Sequence, residues 1–217
     1  LKYVLIYKET HKEALRQRVV SIDNFISTED CLELYEFCKN QNDWPNDFYE
    51  RGEQRRENEP PRPNHKLVEK YTKLALSELL YSFTQEVQFL YPAALRKYPE
   101  GASLGVHCDG VSLNESGDSI DYMRDYDPTS MHPTTITEGA MVLYINDDYE
   151  GGELFFPDID LEIKPKSGQL IAWPSGPLFE HGVKKVSRGD RYVVSSFLTT
   201  PKLALLHDKI RLNHIAQ

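Results

Sequence analysis

A chain of 217 residues with 40% hydrophobic side chains can bury a sizeable core as one domain. Its net charge of −9 argues against a general nucleic-acid or anionic-membrane surface. No apolar run approaches the roughly 20 residues that span a bilayer, and three cysteines make no disulfide framework. The expectation is an intracellular, cytoplasmic protein in a reducing compartment, engaging neither nucleic acid nor membrane. No secretory signal is visible, and a first residue of Leu1 leaves room for a native N-terminus upstream.

In chain order, the run from Val20 to Cys31 comes first. Ser27-Thr28-Glu29-Asp30 then supplies N-capping chemistry before Leu32, Leu34, Tyr35 and Phe37, which predicts a helix. Cys31 and Cys38 lie seven apart on that helix, too far for a bond within it. Residues 40–66 are polar, with Trp44, Phe48 and Tyr49 embedded, and read as a long loop. Its arginines alternate with acids, so a solvated run is expected. From Lys66 to Tyr91 the spacing of Leu67, Tyr71, Leu74, Leu79 and Phe83 predicts a helix packed on a sheet.

Beyond residue 92 the pattern changes to short strands divided by Gly and Pro turns. Ala102–Val106 leads into His107, and residues 110–137 form a loop long enough to be a lid. Gly139–Asn146, an acidic turn closed by Gly151-Gly152, and Leu154–Pro157 predict strand, turn and strand. Further strands are expected at Leu161–Ile163, Gln169–Trp173, near His181, and at Arg191–Phe197. The fold class is therefore α+β, mainly β with added helices: a jelly roll, or double-stranded β-helix, with an N-terminal helical layer. We expect a single domain over 1–217, with helical support at 1–92, the jelly-roll core at 93–200 and a tail at 201–217. Leu203–Leu212 in that tail reads as a terminal helix.

The chemistry concentrates in His107-Cys108-Asp109, His181 and Arg191. Residues two apart on a strand share a face, so His107 and Asp109 can grip one ion, with Cys108 turned the other way. Two histidines and one carboxylate make the facial triad of a non-haem Fe(II) oxygenase, leaving half the coordination sphere open. Arg191, ten positions past His181, suits a keto acid that chelates the metal and carries a distant second carboxylate. The bland alternatives are a hydrogen-bonded strand histidine, a solvated strand-end arginine and core tyrosines. Asp147, Asp148 and Glu150 lack a full oxygen-ligand loop for calcium and read as a solvated turn.

These residues carry a resemblance. Tyr98-Pro-Glu-Gly101, His107-Cys-Asp109, Leu143-Tyr-Ile-Asn-Asp147, Tyr149-Glu-Gly-Gly-Glu-Leu154, Pro165-Lys-Ser-Gly168 and His181-Gly-Val183 with Arg191 agree in order and spacing with one family. The stretch from Tyr98 to Phe197 resembles the prolyl 4-hydroxylase-like Fe(II)/2-oxoglutarate-dependent dioxygenases. The resemblance implies that His107, Asp109 and His181 bind Fe(II). It implies that 2-oxoglutarate takes two open positions and O2 the last, with ascorbate as reductant. Arg191 would pair with the far carboxylate, Tyr98 and Tyr144 would complete its hydrogen bonding, and Leu154 with Val142 would pack on the methylenes.

The implied reaction is hydroxylation of a peptidyl proline, with release of succinate and CO2. The expected partner is a proline-containing peptide or protein, contacted by Trp173 and, in the long loop, by Tyr122 and Arg124. One departure bears on the ring position. Many prolyl 4-hydroxylases carry an arginine at the start of the strand holding the Tyr144 equivalent, whereas Thr134–Gly139 contains no basic residue. Parts of the chain also look like prolyl 3-hydroxylase domains, although 4-hydroxylation is the first expectation. Peptidyl lysine, a small-molecule substrate and a non-catalytic binding module stay open as alternatives, as does the oligomeric state.

Overall fold

The computed structural model describes residues 2–45, 61–80, 82, 87–89, 92–109, 111–113, 119–121 and 137–201. The helices are α1 (Lys2–Arg16), α2 (Thr28–Lys39) and α3 (Lys66–Leu79). The strands up to the long loop are β1 (Val20–Ile22), β2 (Gln88–Phe89), β3 (Ala94–Tyr98), β4 (Leu104–His107), β5 (Val111–Leu113) and β6 (Ser119–Asp121). After it come β7 (Gly139–Tyr144), β8 (Glu150–Gly151), β9 (Leu154–Phe156), β10 (Leu161–Ile163) and β11 (Leu170–Pro174). The series ends with β12 (His181–Val183), β13 (Val186–Arg188) and β14 (Arg191–Thr199).

A major antiparallel sheet runs β1-β11-β7-β14-β2, with β3 also on β14, and a minor one runs β10-β9-β12-β4. Side chains from both sheets meet in one apolar cluster. Tyr144, Ile171, Trp173 and Val193 come from the major sheet, and Leu154, Phe156 and Val183 from the minor. This is the double-stranded β-helix that the sequence leads one to expect.

Alternation on the major strands serves two cores at once. Ala140 and Tyr144 of β7 face the barrel interior, whereas Met141 and Leu143 join Leu34, Cys38, Leu67, Ala75 and Leu79 of the helical layer. The layer is therefore held on by the outer face of the sheet that lines the site. Helix α2 starts where its capping residues place it, with Ser27 Oγ accepting from the Asp30 N–H at 3.2 Å. Asp30 in turn accepts from Lys70 Nζ and from Tyr71 Oη, each at 2.6 Å, which joins α2 to α3 and holds its carboxyl below the usual range.

One expectation needs correction. The apolar spacing predicts a helix from Lys66 to Tyr91, but α3 ends at Leu79. Gln88 and Phe89 instead pair with Thr199 and Leu198 of β14, so sheet partners take up their backbone groups. The acidic turn expected between two strands is present at Asp147–Gly152, and the strands it joins, β7 and β9, belong to different sheets. The turn is a crossing from the major to the minor sheet. It is also tied to the helical layer, because Asp148 Oδ2 accepts from Tyr35 Oη at 2.5 Å and its Oδ1 from Asn146 Nδ2 at 2.6 Å. Within 110–137 the backbone forms the small hairpin β5–β6. The terminal helix expected at 203–212 and residues 46–60 of the earlier loop lie outside the described residues.

Candidate active site

The end of β4 and the start of β12 are paired, with His107 opposite His181. Sheet register thus brings the two imidazoles together, 4.4 Å between ring centres. Asp109 follows just past β4. One ligand atom from each of His107, Asp109 and His181 lies within 4.8 Å of the others, a grouping of three metal-ligating side chains among the described residues. His107 Nε2 stands 3.6 Å from Asp109 Oδ1, and His181 Nε2 stands 3.4 Å from Oδ2.

The far ring nitrogens are also engaged. His107 Nδ1 is 2.8 Å from the Gly105 carbonyl and His181 Nδ1 is 3.0 Å from the Phe179 carbonyl. A carbonyl only accepts, so each Nδ1 carries the proton and each Nε2 lone pair faces the centre. That is the orientation a metal-binding imidazole needs. Burial disfavours charge at all three groups. It prevails at His181, whose pKa is lowered despite Asp109. At His107 burial is outweighed chiefly by the neighbouring Asp109 carboxylate, and the pKa rises. Asp109 itself resists burial through the two histidines and Trp173, which hold its carboxyl below the usual range. A pre-ionised carboxylate between two neutral-capable imidazoles is a donor set that fits Fe(II) with open positions remaining.

Gly182 keeps this register. A Cβ there would stand 2.8 Å from the Leu104 carbonyl oxygen and 2.8 Å from the Phe155 ring. Backbone on one side and a packed ring on the other leave no cheap relief. We expect Gly182→Ala to destabilise the fold by about 1–3 kcal/mol through overpacking and to loosen metal binding. Thermal unfolding checks this, and an unchanged midpoint would contradict the close packing.

Arg191, the first residue of β14, is 1% exposed. Its guanidinium carbon lies 4.4 Å from the Tyr98 ring centre and 5.0 Å from that of Tyr144. Nη2 donates to Tyr144 Oη at 3.4 Å, while Nε and Nη1 have no hydrogen-bond partner among the described residues. A buried cation with orphaned donors is costly unless an anion completes it. Its surroundings are shaped for such a guest. Leu154 is fully buried and Val142 half-buried in the same interior cluster. Gly152 has φ +67°, and a Cβ on it would press within 2.9 Å of the Tyr149 ring and 3.1 Å of Arg191 Cδ. Nε and Nη1 are thus placed to receive an anion.

The sequence-derived site residues fall into three groups. His107, Asp109 and His181 come together as a cluster, and Arg191, Tyr98, Tyr144 and Leu154 line the same barrel interior. Trp173, assigned above to substrate, is 3% exposed, and its indole N–H donates to Asp109 Oδ2 at 3.2 Å. Tyr122 and Arg124 lie outside the described residues. Sequence reasoning missed Tyr149, whose buried hydroxyl lies near the guanidinium. It also missed Arg96, whose Nε donates to Ser195 Oγ at 2.6 Å. Arg96 is two before Tyr98 on β3, so strand alternation alone could have flagged it as sharing that inward face.

With this geometry in hand, comparison with known proteins gives a consistent result. The 2OG-Fe(II) oxygenase superfamily model matches residues 93–199. Prolyl 3-hydroxylase 2 of Rattus norvegicus is 30% identical over 155 residues, covering 69% of this chain and 21% of its own length. The chain thus spans about a fifth of the curated relatives it matches at greatest length. Among solved structures, the viral collagen prolyl hydroxylase of Paramecium Bursaria Chlorella virus-1, as its 2OG complex, aligns with a TM-score of 0.58 at 18% identity. That alignment covers 84% of this chain and 95% of the viral one. A Pseudomonas putida prolyl-4-hydroxylase gives 0.56 at 15% identity over 89% of this chain and 98% of its own. At such identities the structures speak for the fold, and the family model with the sequence relatives speaks for descent. Over residues 93–199 the chain belongs to the 2OG-Fe(II) oxygenase superfamily, and it is similar to prolyl hydroxylases.

Proposed function

We propose that this domain hydroxylates a proline residue of a peptide or protein, using Fe(II), 2-oxoglutarate and O2. The observation that carries the reading is the buried His107–Asp109–His181 cluster in the same barrel as an Arg191 whose donors await an anion. When iron and 2-oxoglutarate are bound, the chemistry supplied is oxidative decarboxylation to succinate and CO2, coupled to insertion of one oxygen atom of O2 into a C–H bond. The chain's residues then have defined tasks. His107 and His181 present Nε2 lone pairs, and Asp109 adds one negative charge. Arg191 takes the far carboxylate in a two-pronged, charge-assisted pair, Tyr144 and Tyr98 line that end, and Leu154 and Val142 dry the methylenes. The apolar interior keeps water from the reacting centre.

Support for proline as the target comes from the prolyl hydroxylases among the sequence relatives. Carbon 4 is the first reading from the motif resemblance. Carbon 3 is the second, favoured by the relative at 30% identity being a prolyl 3-hydroxylase. Ascorbate is the proposed external reductant. A reducing intracellular compartment is the proposed setting, consistent with Cys31, Cys38 and Cys108 being free and buried.

The test is aerobic incubation with Fe(II), 2-oxoglutarate, ascorbate and a pool of proline-bearing peptides. Succinate together with a peptide heavier by one oxygen is the expected result, and chromatographic standards for the two hydroxyprolines assign the carbon. Succinate without peptide oxidation would move the search to peptidyl lysine or a small molecule. Metal-loaded, folded protein that gives neither product would favour a binding module.

A further inference from the structure

We infer that Trp173 is the positioning residue of the metal site: its indole N–H holds one oxygen of Asp109 so that the carboxylate meets the metal through the other. The inference rests on the iron reading of the His107–Asp109–His181 cluster and adds a residue to it. Trp173 sits on β11 opposite Ala140 of β7, a small neighbour that leaves the inward space to the indole. Its ring packs edge-on against His181 at 4.6 Å and against Phe156 at 5.5 Å. From that seat the N–H reaches Asp109 Oδ2 at 3.2 Å, with both side chains buried.

Two consequences follow from elementary chemistry. A carboxylate just past the end of its strand can adopt more than one rotamer, and a buried donor on a second strand selects among them. The carboxylate is thereby set before the metal arrives, as outer partners set the ligands of other metal sites. The second consequence concerns counting. A six-coordinate ion held by two imidazoles and one carboxylate oxygen keeps three positions, enough for a chelating keto acid and O2. A carboxylate binding through both oxygens would leave two. An N–H on Oδ2 disfavours that mode, because it draws charge from that oxygen and fixes the plane of the carboxylate.

The donor rather than the bulk of Trp173 is what the inference requires, and this makes it testable. The isostere 3-benzothienylalanine at position 173 replaces the N–H by sulfur and keeps the bicyclic shape. Trp173→Phe removes the N–H and part of the volume. The readout is the dissociation constant for Mn(II) by calorimetry on metal-free protein, with thermal unfolding of that same protein alongside. We expect Mn(II) to bind about 10–100-fold more weakly in both, the range found for outer-shell partners of metal ligands, and the isostere to melt as wild type does. Unchanged Mn(II) affinity in the folded isostere would overturn the inference. So would a loss confined to Trp173→Phe, since packing alone would then explain it. Wild-type protein that binds no Mn(II) would instead sink the metal reading beneath both.

Discussion

His181→Ala is expected to lose metal binding and turnover together while the barrel stays folded. His181 is 3% exposed, and its Nε2 is aimed at the shared centre by the bond from Nδ1 to the Phe179 carbonyl. Removing it leaves one imidazole and one carboxylate, too few to hold a facial site. Loss of an outer-shell partner alone typically weakens a metal by about 10–100-fold, so deletion of a ligand should exceed that. The fold should survive because Gly182 and Val183 of β12 pair with Phe155 and Leu154 of β9 through the backbone, which the substitution leaves in place. Mn(II) calorimetry and substrate-coupled succinate release provide the check. Turnover retained in this variant would remove the iron assignment.

Arg191→Ala should separate the two cofactors. No ligand of the metal cluster touches the guanidinium among the described contacts, so metal affinity is expected to stay near wild type. The far carboxylate of 2-oxoglutarate, by contrast, would be buried without a partner. Breaking a buried, hydrogen-bonded charge pair costs about 3–5 kcal/mol, which corresponds to at least a 100-fold rise in the apparent KM for 2-oxoglutarate. Arg191→Lys keeps the charge and loses the planar fork, so an intermediate value is expected. Initial rates of succinate release against 2-oxoglutarate concentration measure both. An unchanged KM in the alanine variant would mean that another cation does this work, with the half-buried Arg96 the first to test.

Much of this site could be read from the chain because strand geometry is local. His107 and Asp109 share a face through a two-residue period, and Arg191 opens a run whose alternate residues Val193, Ser195 and Phe197 line one side. What escaped was set by distant neighbours. The end of α3 at Leu79 could not be placed from apolar spacing, since a helix stripe and a short buried strand look alike over a few residues. The crossing between β7 and β9 has the composition of a hairpin turn, and nothing local states which sheet the next strand will join. The Trp173–Asp109 bond joins residues 64 apart in the chain. A tryptophan beside a proline gives no hint of its acceptor, so its substrate-side assignment rested on resemblance alone.

The division of β7 and β14 between two cores bears on how this domain can vary. The family match begins at residue 93, yet Met141, Leu143, Val194 and Leu198 bury their side chains against α2 and α3. A fragment cut at that boundary would bare an oily wall, and self-association rather than a smaller enzyme is the natural result. The same partition insulates the chemistry. Replacements among Leu34, Leu67 or Ala75 act on one side of a party wall whose other side holds the reacting groups. Drift in the helices should therefore register as altered protein abundance long before it registers as altered product.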